Sequence, residues 1–332
     1  MRQSSAAPAA SAPTDAAGFD AILEQPTTEL PRARVLPGAS SSSGAPGPAS
    51  AAVSSSPTLE EFAHNWPLYR DPVLCGILAG VGLSALGVFV VLRRAVFVTA
   101  ALSQAAGLGV ALAFYLSIHH ALELPPVVGA LLASVAATLL VGLRSSPRIG
   151  RETQVAIVFV GASALAVLVG DRFAQEAHDI AAILFGTAVL VRSADLWMVF
   201  GSAVLALGTL LVLGRALTFT GFDPDGARVQ GLPVRSIEAV FWGVFALHVA
   251  VAARALGSLP VFALAVLPAA TGLLLAPGLR AVLAVAIGVG AFAGGAGYLL
   301  AFLYELPVGT AQALVAAFCV LVAFGVERAR RH

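Results

Sequence analysis

From residue 73 onward, long apolar runs follow one another along the chain, separated by short polar stretches. About 20 apolar residues form an α-helix long enough to cross the hydrocarbon core of a bilayer. Because lipid offers the backbone no hydrogen-bond partner, such runs fold as helices. Only 11% of the residues are charged, against about 25% in soluble domains. The sequence therefore predicts an all-α polytopic membrane protein with about eight or nine transmembrane helices. The predicted spans are 73–92, 95–116, 126–143, 154–169, 196–217, 237–253, 260–276, 281–303 and 308–326.

One further apolar run, at 180–191, is too short to span a bilayer comfortably. We expect it to form a short re-entrant helix. Non-helical backbone at membrane depth is tolerated only against protein or beside a water-filled cavity.

The composition before residue 73 divides the chain into segments. Residues 1–57 are rich in Ala, Ser and Pro and have no periodic apolar pattern, so we expect a disordered tail. Residues 58–72 instead combine aromatic and charged side chains, including Trp66 and Tyr69. Aromatic residues beside a span favour the headgroup level, which predicts a short interfacial segment. Residues 73–332 then form the transmembrane domain.

The arginines near the span ends predict the orientation of the helices. Those that follow 73–92, precede 154–169, precede 237–253 and follow 308–326 all fall on one side, which should face the cytoplasm. Arg172 and Arg254 are the exceptions on the opposite side. A net charge of +1 without a basic cluster gives no indication of a nucleic-acid partner.

The stretch 93–115 carries polar residues inside an apolar helix. Thr99 and Ser103 are four residues apart and share a face, and Gln104 lies next to it. Small residues surround them, so this face either packs closely against another helix or lines a solute path. His248 lies inside the predicted span 237–253. Ionisable residues within a span usually face the bundle interior, so His248 is either a hydrogen-bonded packing residue or part of a pathway.

The loop 220–235 is the most polar stretch between spans on the arginine-rich side. Asp223 or Asp225 can cap a short helix that runs to Gln230, with Gly231 ending it and Pro233 blocking its continuation. This segment is either an ordinary helical loop or an element that receives force from a partner protein.

Five motifs occur in order along the chain. They are the run from Arg93 to Ala113, Leu184-Phe185-Gly186 followed by Asp195-Leu196, the pattern D-x-x-x-A-x-x-x-G-L-P at 223–233, Pro-Ala-Ala-Thr at 268–271, and Glu-Leu-Pro-Val-Gly at 305–309. Together they resemble the permease subunits of the ABC importers of zinc, manganese and iron. The resemblance covers almost the whole of the predicted transmembrane domain.

The resemblance implies a type II ABC importer-like permease fold in a bacterial inner membrane. It also implies a homodimer, a separate ATPase and an extracytoplasmic substrate-binding protein. The cargo would be a divalent metal ion or a metal complex. The implied ATPase-coupling residues are Asp223, Asp225, Ala227, Gly231, Leu232 and Pro233. The transport pathway would run along Thr99, Ser103, Gln104 and His248.

The chain departs from the family pattern where metal ligands are expected. The family usually has an Asp and a His at the positions of Ala100 and Gln104, so the metal ligands here are unknown. His248 stands where the family commonly has a Thr or a small residue, and it is a candidate to supply the missing imidazole.

The chain is not expected to be an enzyme. It contains no lysine and no G-x-x-x-x-G-K-[ST] motif, so ATP would be hydrolysed by the partner subunit and this chain would bind no cofactor of its own. The alternative interpretation is a degenerate, non-transporting scaffold or sensor partner derived from such a permease. The loss of acid and imidazole at residues 100 and 104 favours that alternative, whereas the retained pattern at 223–233 favours coupling to an ATPase.

Overall fold

The computed structural model describes residues 58–120, 124–143, 149–172 and 191–331. All regular secondary structure in these ranges is helical. The re-entrant helix predicted at 180–191 and the tail predicted at 1–57 lie outside the described residues, except for Val191. The helices are α1 Leu59–His64, α2 Trp66–Leu92, α3 Val96–His120, α4 Pro126–Leu143, α5 Arg151–Asp171, α6 Ser193–Phe222, α7 Pro224–Val229, α8 Val234–Leu256, α9 Ser258–Leu275, α10 Leu279–Leu303 and α11 Val308–Arg331.

The helix pattern confirms the predicted polytopic architecture. Among the described residues, eight helices are long and apolar enough to cross a membrane, namely α2, α3, α5, α6, α8, α9, α10 and α11. The apolar helix α4 corresponds to the remaining predicted span. Each of the nine predicted spans therefore coincides with a helix.

The first span begins earlier than the sequence predicts. Residues 58–72 contain α1 and the first turns of α2, which starts at Trp66 rather than at residue 73. A capping box begins α1, since Thr58 Oγ1 accepts from the backbone N–H of Glu61 and the Glu61 carboxylate accepts from that of Thr58. Pro67 stands in the first turn of α2, where a missing N–H costs nothing. The helical start is therefore compatible with the proline that follows it.

Helix α2 forms the centre of the bundle, because α6, α8, α9 and α10 all pack against it. One of its close contacts is with α10. A Cβ added at Gly76 would lie 2.9 Å from the carbonyl oxygen of Gly294, and one added at Gly290 would lie 2.5 Å from that of Gly80. Each helix thus places two glycines four residues apart at the contact, which is the small-residue spacing that lets membrane helices approach closely.

Helix α3 is the second most buried span, and it packs against α4, α5, α8 and α9. A tight turn joins it to α2. Arg94 adopts φ 55°, the N–H of Ala95 bonds to the carbonyl of Val90, and the N–H of Arg94 bonds to that of Val91. This is a Schellman-type helix end with an arginine at the left-handed position. It places Arg93 and Arg94 between the two most buried helices.

Candidate cargo path and coupling segment

A cavity of about 320 Å³ lies beside α3, between α5 and α9. Phe97, Ala100, Ser103 and Gln104 form its α3 wall. All of the lining side chains are neutral, and three of them are phenylalanines. The residues that line it are Phe97, Ala100, Ser103, Gln104, Val155, Ala156, Phe159, Ser258, Leu259 and Phe262. The polar donors at this cavity are therefore hydroxyl and amide groups.

The polar face predicted on α3 divides between this cavity and the helix packing. Ser103 is buried, and its hydroxyl donates to the carbonyl oxygen of Ala100 at 2.9 Å. Thr99 is fully buried and does not line the cavity, and its Oγ1 has no hydrogen-bond partner among the described residues. The structure thus brings Ser103 and Gln104 together at one cavity and leaves Thr99 in the helix interface.

Ala100 and Gln104 both line the cavity, one helical turn apart. Carboxylate and imidazole groups at these two positions would therefore converge on one space. In this chain that space receives a methyl group and an amide. Among the described residues, no group of three or more His, Cys, Asp or Glu side chains is placed to hold a metal ion.

His248 lies elsewhere, enclosed where α8 meets α2 and α6. Its Nδ1 lies 2.9 Å from Ser202 Oγ on α6, and its Nε2 lies 3.4 Å from the carbonyl oxygen of Ala79 on α2. The side chain is fully buried. It is not among the residues that line the cavity beside α3. The structure therefore gives His248 partners in the helix packing, and its predicted role in the pathway stays a prediction.

The short helix predicted within 220–235 is present as α7. Asp223 caps it, since its Oδ1 accepts from the backbone N–H of Gly226 at 2.8 Å. Gly231 adopts φ 79°, with Leu232 N–H bonded to the carbonyl of Ala227, so the helix ends in a Schellman motif. Ala227 is buried, and Pro233 is the residue just before α8. The backbone chemistry inferred from the sequence is confirmed, with Asp223 as the cap.

Asp225 plays a different part from Asp223. Its carboxylate accepts from Arg228 Nη1 at 2.6 Å within α7, and both side chains are largely exposed. Exposed pairs of this kind contribute little to stability. Asp225 is thus a surface charge on α7.

Two features of this region were not predicted. Phe222, the last residue of α6, and Val229, the last residue of α7, are 70% and 88% exposed, so both place apolar side chains on the surface. Arg93 is also part of the region, because its guanidinium reaches the last turns of α6. In the sequence Arg93 and Arg94 are adjacent and equivalent, and only the packing distinguishes them.

The structure also explains one exception to the arginine pattern. Arg254, near the C-terminal end of α8, forms an ion pair with Asp195 in the first turn of α6. Both side chains are largely buried, at 20% and 13% exposure. An arginine held by a carboxylate is not a free topogenic charge. Arg254 is therefore compatible with the orientation predicted from the other arginines.

These features define the chain as a polytopic α-helical membrane protein. The model of the ABC 3 transport family matches residues 66–327. The chain therefore belongs to the ABC 3 transport family.

Curated relatives and a solved structure agree with this assignment. The manganese import system permease protein ScaB of Streptococcus parasanguinis is 30% identical over 267 residues, which cover 79% of this chain and 93% of that protein. The manganese transport system membrane protein MntC of Listeria innocua is 30% identical over 253 residues, covering 76% and 86%. The structure of PsaBC from Streptococcus pneumoniae in complex with Fab matches with a TM-score of 0.71 and 25% identity, covering 80% of this chain and 95% of that one.

Proposed function

We propose that this chain is the permease subunit of an ABC importer for a divalent metal ion of the manganese class. The family match over residues 66–327 carries the proposal. Relatives that cover most of the chain are named as manganese import permeases. In this proposal two copies form the pathway in a bacterial inner membrane. A separate ATPase binds ATP, and an extracytoplasmic binding protein delivers the cargo.

The pathway runs along the polar face of α3. Ser103 and Gln104 offer neutral oxygens to the cavity, and Thr99 lies one turn before Ser103. Manganese prefers carboxylate, carbonyl and water oxygens. The few hydroxyl and amide groups of the lining cannot replace a full set of such oxygens, so the ion would keep its waters. The cavity of about 320 Å³ accepts an ion with a shell of waters, since each water occupies about 30 Å³.

A metal complex is the second candidate cargo, and the apolar part of the cavity favours it. Phe97, Phe159 and Phe262 line the space together with Leu259. Small-molecule sites are typically lined by apolar and aromatic side chains with a few polar groups. An organic ligand around the metal would make favourable apolar contacts with those rings, whereas a shell of waters would make none.

The coupling segment, which is the loop 220–235 with α7, supports an ATP-driven permease over a non-transporting scaffold. Helix α7 is held at both ends by its own caps, and it exposes Val229 beside the exposed Phe222. Exposed apolar side chains on a soluble segment favour a protein partner. ATP binding would bring the two ATPase subunits together, displace α7, and thereby move the helices to which α7 is joined.

The test is metal uptake by proteoliposomes that contain this chain with its ATPase and binding protein. Manganese, zinc and iron are offered separately and as a chelate, to the unaltered protein and to Ala100→Asp/Gln104→His. We expect uptake by the unaltered protein, and tighter retention with slower release by the variant, because two converging ligands are added. Absence of uptake of every cargo by both proteins would favour the scaffold interpretation.

A further inference from the structure

Arg93 ends α2, and its guanidinium contacts both α6 and α8. Its Nη2 donates to the carbonyl oxygen of Leu217 at 3.2 Å and to Thr220 Oγ1 at 3.4 Å, both in the last turns of α6. Its Cζ lies 4.7 Å from the ring centroid of Phe241 on α8. Arg93 itself is the residue that ends α2. One side chain thus contacts α6 and α8 from the turn that leads into α3.

The surroundings of this side chain are shaped to receive it. A Cβ added at Gly221 would lie 3.3 Å from Nε of Arg93, so a larger residue there would crowd the guanidinium. Nε and Nη1 are sealed from solvent and have no hydrogen-bond partner among the described residues. The attraction between the cation and the face of Phe241 offsets part of that cost. The neighbouring Arg94 is exposed.

The contacts of Arg93 lie on a short route between α7 and the cavity. Asp223 both ends α6 and caps α7, so no flexible loop separates these helices. Leu217 and Thr220 are within two turns of that shared residue. On the other side, α3 begins at Val96, and Gln104 lies about 12 Å further along the helix axis. A displacement of α7 can therefore reach α3 through one partly buried side chain.

We propose that Arg93 is a positioning residue that transmits the movement of the coupling segment to α3 and hence to the cargo cavity. The inference rests on the proposed function, because it presumes an ATPase that moves α7. The planar guanidinium is suited to this task, since it donates to two acceptors while it stacks on a ring. A lysine ammonium is a compact, strongly hydrated charge and lacks this geometry.

The experiment uses the complex with its ATPase in proteoliposomes. A cysteine reporter, Gln104→Cys, is placed at the cavity in a Cys319→Ala background, since Cys75 is buried. The rate of maleimide labelling is measured with and without ATP, and ATP hydrolysis and manganese uptake are measured in the same complex without the reporter. Arg93→Met is compared with Arg93→Lys and with the matched control Arg94→Asn. Asparagine tolerates the left-handed backbone at residue 94.

We expect ATP to change the labelling rate in the unaltered complex and in Arg94→Asn. In Arg93→Met that change should be lost, and manganese uptake per ATP hydrolysed should fall about tenfold or more, the factor that corresponds to one charge-assisted hydrogen bond. Arg93→Lys should give intermediate values of both the ATP-dependent change in labelling rate and the manganese uptake per ATP hydrolysed. An unchanged ATP response in Arg93→Met, or an equal loss in Arg94→Asn, would overturn the proposal.

A second variant covers the case in which Arg93→Met does not assemble. Gly221→Val retains Arg93 but crowds its guanidinium, so the same loss of ATP response is expected, and an unaltered response contradicts the proposal. An ATP response without uptake of manganese would refute manganese as the cargo and would leave the role of Arg93 supported. An unaltered complex that gives no ATP response would refute both proposals.

Discussion

The imidazole of His248 occupies the space that a side chain at Gly82 would need. A Cβ added at Gly82 would lie 2.7 Å from Cε1 of His248 and closer still to Nε2. The ring is held in this slot by Ser202 on α6 and by the carbonyl of Ala79 on α2. The packing of α2, α6 and α8 thus requires a glycine at residue 82 to leave room for the imidazole of His248.

We predict that Gly82→Ala destabilises the protein. Overpacking of a close-packed site typically costs about 1–3 kcal/mol, and the ring has hydrogen bonds that resist its displacement. Adding His248→Ala to Gly82→Ala should recover part of the loss, because the second change removes the overlap. The measurement is thermal unfolding of the purified protein in detergent for both single variants and the double variant.

Gly161→Ala is the matched control, since a Cβ at this helical glycine meets nothing within 4 Å. It should be neutral or stabilising by up to about 1 kcal/mol, the difference in helix propensity between the two residues. Equal destabilisation by Gly82→Ala and Gly161→Ala would show that the contact with His248 is not the cause.

The same histidine allows a prediction about cargo. Because both ring nitrogens face hydrogen-bond partners and the residue does not line the cavity beside α3, His248→Ala should leave the ratio of manganese to zinc uptake unchanged while lowering stability. Uptake of the two metals by proteoliposomes, normalised to the amount of folded complex, measures the ratio. A changed ratio would support the interpretation that His248 supplies an imidazole to the pathway.

The ion pair between Asp195 and Arg254 should stabilise the contact of α6 with α8. Arg254→Gln leaves a largely buried carboxylate without its cation, which we expect to cost about 1.5–3 kcal/mol. Asp195→Asn/Arg254→Gln should be more stable than Arg254→Gln alone, since no buried charge remains. Thermal unfolding of the two variants measures the difference.

The exposed pair of Asp225 and Arg228 provides the comparison for that experiment. Its side chains are 86% and 59% exposed, so Arg228→Gln should change stability by no more than about 1 kcal/mol. A similar loss in Arg254→Gln and Arg228→Gln would mean that burial does not set the strength of the Asp195 pair.

The cap of α7 should be required for coupling. Asp223→Ala removes the acceptor for Gly226 N–H, a loss of about 1 kcal/mol in helix stability, so uptake should fall while basal ATP hydrolysis continues. Asp223→Asn keeps a capping oxygen without the charge and should retain most of the uptake. Parallel assays of uptake and ATP hydrolysis separate these results. Loss of both activities in Asp223→Asn would point to a role for the charge rather than for the cap.

Local patterns in the sequence were sufficient to predict where the helices lie. Apolar length located the nine spans, and the spacing of Asp223, Gly231 and Pro233 located α7, because caps and breakers act over a few residues. The start of α2 was misplaced by seven residues, from residue 73 to Trp66. The predicted start directly follows Pro72, which resembles a helix boundary in the sequence although it lies inside α2.

The candidate site required tertiary information. The sequence placed Thr99, Ser103 and Gln104 on one region of α3, but it did not show that Ser103 and Gln104 line the cavity between α5 and α9 while Thr99 is not in its lining. Likewise, no sequence signal distinguishes Arg93 from Arg94 or joins Asp195 to Arg254, since those contacts lie between residues far apart in the chain. Contacts between residues on different helices could therefore not be predicted from the sequence.

The proposed function is tested most directly by ATP-dependent accumulation of manganese in proteoliposomes that contain this chain, its ATPase and its binding protein. The control is the same complex with a hydrolysis-deficient ATPase. We expect accumulation against the manganese gradient with the active ATPase and none with the deficient one. Equal manganese levels in the two preparations, with the active ATPase hydrolysing ATP, would contradict it.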